Sequence, residues 1–451
     1  MVDRVVVGGG LSGIVAALEA AEAGERVVLL ESQAQLGGAI ASAEIDGVEV
    51  DAGAESFSIV SPEMIELVDR WGAASQRVQP ANYPAHLVLP DRTIAIPRGV
   101  MGIPAGADAL RGCGVLSPLE LRDALDRDRK PWQEDPTASV ADIVRARLGE
   151  LVYGRLVAPI LTGVWGVDGQ QLSAATVFPE LLAIAAREGS LLEGARILRS
   201  DQPSMGQAVQ SLRGGLHTLI PLLARVLDDA GVQVELTSPV TDIRRADGSW
   251  NIRSNHTWDA PRLTIAVGPR ALEKLLSGVD GLLKGPELPL EPIPSLVMIA
   301  SIEAPHLDFA PVGTGALVQQ KASEQVKALT HVNAKWSWWS DVLPAHRHLV
   351  RLSLRDTSLS DDDAGRVAIS VLDEMLQVRP GQVRELALRR WDDVLVQPLA
   401  EAAEDVVLLR QRAAVQGLEL LGSALPGAGL LRLARHAHYR RQQEDTRVAI
   451  G

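Results

Sequence analysis

The chain has 451 residues, with 57 acidic against 44 basic side chains and a formal net charge of −13, which excludes a general binder of nucleic acid or of anionic membranes. At 46% hydrophobic and 22% charged residues it is a folded protein rather than a disordered one, and its length predicts two or three domains. The single cysteine, Cys113, allows no internal disulfide and fits a reducing compartment. The first apolar run, Val5–Val7, is too short for a secretory leader, and no run of about 18 apolar residues could span a membrane. A cytoplasmic protein without an integral membrane segment is therefore expected.

In chain order, Val5–Val7 reads as a short buried strand and Leu11–Ala23 as a helix stopped by Gly24. Arg26–Leu30 is a second strand, and the alternation over Glu44–Val50 predicts a hairpin arm. Residues 86–97 form a further hairpin, with Pro90 and Asp91 in its turn. From 108 to 204 the spacing is helical, with Ser117, Pro118 and Glu120 marking one helix start. Residues 213–268 mix a helix with four strands, and 290–355 are strand-rich. The acids of "DDDAGRVAISVLDEMLQ" open a helix, as the helix dipole favours. The tail reads as strand, Gly-rich loop (422–429) and helix. Trp336–Trp339 ("WSWW") is read as core, on a half-buried strand face, rather than as a ligand platform.

The chemistry-bearing motif is Gly8-x-Gly10-x-x-Gly13 between the first strand and the first helix. Gly8 suits a tight turn, Gly10 lets the backbone approach a pyrophosphate, and Gly13 allows close helix–strand packing. Glu31 closes the second strand, where a carboxylate accepts from ribose hydroxyls and repels a 2′-phosphate. The next segment is not another crossover helix. It is a loop with Gly37 and Gly38 followed by a hairpin ending in "DAGAES", which points to FAD rather than NAD.

Several stretches occur in order along nearly the whole chain: "LGGAI", "VDAGAESF", "IPRGVMGIPAG", "LVAPILTGVWGVDGQQLS", "FPELL", "GSLLEGAR", "LRGGLHTLIPLLA" and "GLELLGSALPGAGL". On these the chain resembles the FAD-dependent coproporphyrinogen III/protoporphyrinogen oxidase family of the amine-oxidase-like flavoproteins, most closely its soluble bacterial branch. The resemblance implies an α/β fold. It would comprise a Rossmann-like FAD-binding domain, discontinuous in sequence (1–70, 205–268 and 385–451), a mixed-sheet substrate-binding domain (71–107 and 269–384) and a helical subdomain (108–204). It implies FAD held at its pyrophosphate by Gly8, Gly9, Gly10, Leu11, Ser12 and Gly13, and at its ribose by Glu31 with Ser32 beside it. Gly38 and Ala39 would pass the ribityl–phosphate stretch, and Gly53, Ala54, Glu55 and Ser56 the flavin. Val240 would meet adenine through its backbone, and Trp391 with Ala428, Gly429 and Leu430 would lie near the isoalloxazine.

The implied activity is oxidation of coproporphyrinogen III to coproporphyrin III with O₂ as acceptor, giving H₂O₂, in haem biosynthesis. Protoporphyrinogen IX oxidation, another amine oxidase or desaturase activity, and a non-catalytic FAD- or porphyrin-binding relative stay open, as do the oligomeric state and contact with a downstream ferrochelatase. Three departures from the family pattern stand out: Ile59, Val60 and Ser61 in place of a basic pair, no tyrosine after Trp391, and "GLLRLARHAH" after the last Gly-rich loop. No acid–base dyad is required, because the cofactor carries the chemistry, and no catalytic residue is assigned. Propionates of the substrate call for cations; Arg92, Arg98, Arg155, Lys335 and His331 are candidates. The pairs His346/His348 and His436/His438 lack a carboxylate or thiolate partner in sequence, and no metal site is expected.

Overall fold

The computed structural model describes residues 2–59, 62–133, 135–199, 208–279, 281–283, 292–396 and 400–422. Its organising element is a five-stranded parallel sheet, in the order Gln233–Glu235, Val27–Leu30, Arg4–Val7, Arg262–Ile265 and Leu418–Leu420. The central strands are buried on both faces, which is why they read as unbroken apolar runs. The helix Leu11–Glu22 covers one face with Ile14, Val15 and Leu18, together with Glu63–Arg70 and Leu219–Asp229. Residues of Pro269–Leu276 and Ala400–Val415 cover the other. Gly24 ends the first helix in a left-handed conformation, φ +83°.

A second, seven-stranded mixed sheet runs Val383–Val396, Pro292–Glu303, Arg347–Leu354, Val326–His331, Gly315–Val318, Ala85–Val88 and Thr93–Ala95. One face packs on the helix Asp361–Leu376, which Ser360 caps by accepting from Asp363 N. The other face meets the hairpin Ser42–Ile45/Val48–Asp51 through Val297, Ile299 and Leu349. Between 107 and 198 the chain is helical, with the Ser117–Glu120 capping box formed as its residues predict. The helix Ala158–Trp165 packs on Gly315–Val318 and Val326–His331.

The α/β class, the Rossmann-like parallel sheet, the mixed sheet and the helical segment thus match the expectation. The strands Thr257–Ala260 and Val383–Val396 and the helix Ala400–Val415 were not anticipated. Trp336, Trp338 and Trp339 are core, as expected, but on a single helical turn and a 3₁₀ turn instead of a strand face. Trp338 and Trp339 stack at 4.2 Å. We propose the three-part division with two changes. Pro269–Leu276 joins the core of the parallel sheet, and Val383–Val396 stays with the mixed sheet to which it is paired.

Candidate functional site

The first strand delivers its chain to Gly8, whose φ of +103° turns it under the N-terminus of the helix Leu11–Glu22. A Cβ at Gly13 would overlap the Gly8 carbonyl oxygen, so helix and loop touch backbone to backbone. A Cβ at Gly10 would meet only the Gly38 Cα, at 3.8 Å. That gap, and a helix end with no side-chain cap and no acidic residue in its first turn, is the form an anion-binding helix terminus takes. Leu11 and Ser12 lie in that first turn; Leu11 is buried in the core and Ser12 half-buried.

Glu31 is buried beneath this loop. Its Oε2 accepts from Gly9 N (2.6 Å), and its Oε1 accepts from Gln33 N (2.8 Å) and Ser32 Oγ (3.0 Å). A carboxylate has about four acceptor positions, so room remains for a ribose hydroxyl. Residues 236–241 roll over this strand end, with Thr237 N on Gln33 O and Ser238 N on Glu31 O (both 2.8 Å). That brings half-buried Val240 to the same end of the sheet as Glu31.

The second half of the site is a crossing of segments. Gly37 N donates to Gly9 O (2.9 Å) and Ala54 N to Ala39 O (2.8 Å). Thus the 37–41 loop lies between the glycine loop and the 52–54 segment. Trp391 Nε1 donates to Ala52 O (3.2 Å), and a Cβ at Gly53 would sit 2.9 Å from Trp391 Cζ2. Asp51 fastens the hairpin below by accepting from Leu216 N, His217 N and His217 Nδ1. Ser56 follows at the entry to the short strand Phe57–Ser58.

Glu55 turns away into a charged network. It accepts from Lys335 Nζ (2.5 Å) and Arg351 Nη1 (3.2 Å), while Arg351 Nη2 donates to Gly53 O (2.9 Å). Burial raises the Glu55 carboxyl, but the two cations outweigh it and hold it below its ordinary value. The 53–55 segment is therefore clamped by two cations against one carboxylate, Arg351 from the mixed sheet and Lys335 from the helical turn Val332–Lys335. Sequence reading missed Arg351, which lies almost 300 positions from its partner and has no local signal.

Gly8 to Gly13, Glu31, Ser32 and Val240 thus gather at one end, with Gly38 against Gly10, and Ala39, Gly53 to Glu55 and Trp391 at the other. Ala428, Gly429 and Leu430 lie outside the described residues, as do Val60 and Ser61; Ile59 is half-buried against the core. Among the proposed cations, Lys335 is committed to Glu55, and Arg92 to Asp91 and Gly114 O. Arg98 and Arg155 donate to the carbonyls of Arg199 and Val115. His331 is no entrance group: it is 1% exposed and bonded to His348 Nδ1 at 3.0 Å.

The reading of His346 and His348 as lacking a carboxylate needs correction. They flank a strand end, where alternate residues share a side, and Asp308 bonds both (2.6 and 3.0 Å). Burial, then repulsion from His348, pushes His331 down to about 4.

The residues present fit a dinucleotide-type flavin: an uncapped helix end, an open gap at Gly10, an acid at the ribose position and a tryptophan against the glycine that ends the hairpin. Comparison with known proteins agrees. The chain is 26% identical over 439 residues to the coproporphyrinogen III oxidase of Mycobacterium tuberculosis (strain ATCC 25618 / H37Rv), covering 94% of this chain and 93% of the relative. It is 23% identical over 453 residues to that of Bacillus subtilis (strain 168), covering 94% of both. Among solved structures, a putative protoporphyrinogen oxidase from Exiguobacterium superposes with a TM-score of 0.84 at 24% identity over 99% of both chains. A putrescine oxidase bound to putrescine does so with a TM-score of 0.62 at 15% identity, over 98% and 99%. Residues 11–284, more than half of the sequence, match the family described as flavin containing amine oxidoreductase. With more than half of its length matched, the chain belongs to the flavin containing amine oxidoreductase family.

Proposed function

We propose that the protein is an FAD-dependent porphyrinogen oxidase, acting on coproporphyrinogen III with O₂ as acceptor and forming H₂O₂. The observation that carries this reading is the full-length match to coproporphyrinogen III oxidases combined with a site built for a long dinucleotide. A porphyrinogen has four saturated bridges, and aromatisation removes six electrons, which three two-electron rounds and three O₂ accept. FAD would supply the hydride-accepting ring and its reoxidation by O₂.

The protein's own part is holding and shielding. Gly8 to Gly13 present backbone N–H groups and a helix end to the pyrophosphate, and Glu31 with Ser32 and the Val240 backbone takes the adenosine. Gly38, Ala39, Gly53, Ala54 and Ser56 line the ribityl–flavin stretch, with Trp391 packed against Gly53. Glu55 serves through its ion pairs, as an anchor that keeps this segment against the mixed sheet. We assign Ala428, Gly429 and Leu430 to the flavin by resemblance alone. No helix among the described residues is long and apolar enough to cross a membrane.

The test is direct. The purified protein is examined for flavin absorbance, then given coproporphyrinogen III under air while porphyrin fluorescence and H₂O₂ are followed. Porphyrin and H₂O₂ above the spontaneous rate, in a one-to-three ratio, are expected. A yellow protein that forms no porphyrin above that rate would overturn the reading. A 27% identity over 296 residues to bovine protoporphyrinogen oxidase makes protoporphyrinogen IX the comparison substrate. Faster turnover of the tetracarboxylate is the expected outcome.

A further inference from the structure

The strand register of the mixed sheet aligns residues far apart in sequence. Trp391 pairs with Ser295, and Leu296 with Leu354, which sets Arg355 opposite Ser295. Arg355 N then donates to Gln325 O (2.9 Å), extending the row to a fourth strand. Residues in one row share a face, and Trp391 fixes which face by reaching Ala52 O. Arg355 therefore starts from the flavin-facing side, two strand spacings or about 10 Å from Trp391.

Its guanidinium is only partly used. Nε donates to Ser323 O (3.0 Å) and Nη2 to Val318 O (2.5 Å), while Nη1 has no partner among the described residues. Beside it, Lys327 occupies the irregularity between Val326 and Ala328 in the neighbouring strand. Lys327 is half-buried and makes no hydrogen bond or ion pair among the described residues. Burial, and then the Arg355 charge, holds its ammonium below the ordinary value; burial does the same to Arg355. Lys335 and Arg351 are matched by Glu55 and Arg347 by Asp46, while Arg389 on the same face is exposed and lies over the Trp391 ring at 4.9 Å. Half-buried like charges without a counter-ion are costly, and a fold keeps them where an anion completes them.

Their position suits a substrate. The helix Ala158–Trp165 lies over these strands, and Gln319 Nε2 donates to Gly154 O (2.6 Å) at the preceding helical turn. The pair thus stands where the helical region meets the flavin-facing side of the sheet.

We propose that Lys327 and Arg355 form the subsite that receives a carboxylate of the substrate and so select an acidic substrate over its neutral counterpart. This rests on the porphyrinogen reading for the identity of the acid, though not for the anion site itself. Lys327 is the residue to test, since Arg355 also holds the 318–323 turn.

The experiment measures binding of coproporphyrin III and of its tetramethyl ester to the flavin-loaded protein by porphyrin fluorescence. Lys327→Gln should weaken coproporphyrin III binding about tenfold or more, leave ester binding and the flavin spectrum unchanged, and keep or raise Tm, because an unpaired cation is removed. Lys327→Arg should restore most of the affinity. Unchanged coproporphyrin III affinity in Lys327→Gln, or an equal loss for the ester, overturns the proposal.

If the unsubstituted protein holds flavin yet binds neither porphyrin, the porphyrinogen reading falls and benzenehexacarboxylate decides on the anion site. Protection of Lys327 from an amine-reactive label by that polyanion, lost in Arg355→Gln, sustains it. No protection in the unsubstituted protein overturns it.

Discussion

The two ends of the site are held together by different physics. At the pyrophosphate end, from Gly8 to Gly38, the contacts are backbone on backbone, and the acid Glu31 is satisfied by neutral donors. At the proposed flavin end, around Gly53 to Glu55, the segment is fastened by Lys335, from a helical turn, and Arg351, from the mixed sheet. Apart from the gap at Gly10, the first end tolerates few added atoms but asks little of charge balance. The second depends on Glu55 keeping its partners Lys335 and Arg351. On the proposed reading, grip on a cofactor and choice of a substrate fall to separate materials.

The largest effect expected from this contrast is at Gly10. Its Cβ has room in the protein, so Gly10→Val should leave the fold intact while its methyl groups enter the space reserved for the ligand. Flavin retention should fall by about a hundredfold or more, read from absorbance after purification, with unchanged circular dichroism. Gly13→Ala should behave differently and cost the flavin-free protein about 2 kcal/mol, because the overlap with Gly8 is internal. A Gly10→Val protein that stays yellow would erase the distinction.

Next is Glu55→Gln, which strands Lys335 and Arg351. A loss of about 3 kcal/mol in urea unfolding is expected, partly recovered by adding Lys335→Met. Glu31→Gln, whose partners are neutral, should cost about 1 kcal/mol. Equal losses at the two acids would contradict the division into charged and uncharged ends.

A third comparison uses pH. His331 is neutral in the folded state down to about 4, whereas the unfolded chain protonates it near 6.5. Between those values the unfolded state binds the extra proton. The stabilising contribution is therefore complete above 6.5 and is lost as pH falls toward 4, on the order of 2–3 kcal/mol. Unfolding followed by tryptophan fluorescence should show this slope, and His331→Gln should flatten it. An unchanged slope in that variant would assign the acid sensitivity elsewhere.

The smallest effect is Trp391→Phe, which keeps the ring against Gly53 and removes the bond to Ala52 O. About 1 kcal/mol is expected, with a shift of the visible flavin band as the more sensitive readout.

What could be read from the sequence follows the same division. The glycine loop, Glu31, Gly38 and the hairpin lie within some 50 residues, and their roles follow from steric rules that local spacing reveals. Glu55 was legible as a position, but its ion partners stand 280 and 296 residues away and no local pattern joins them. Lys327 and Arg355 were invisible for the same reason: only strand register brings them to the row of Trp391. The strand Val383–Val396 escaped notice because its arginines and acids mask an edge strand whose outer side needs no apolar alternation. The tryptophans were correctly read as core, while their helical turns were not, since burial alone does not fix backbone form.

The order of strands in the parallel sheet also dictates when the site can exist. The strand that opens into the glycine loop pairs with its near neighbour at 27–30, but its other edge waits for residues 262–265, which in turn pair with 418–420. Such distant pairings are slow to form. During synthesis the glycine loop emerges well before residues 262–265 and 418–420, which complete its sheet. A nascent chain carries an open sheet edge until those strands follow, and a chain cut short before residue 418 would bear the glycine loop without the last strand of its sheet.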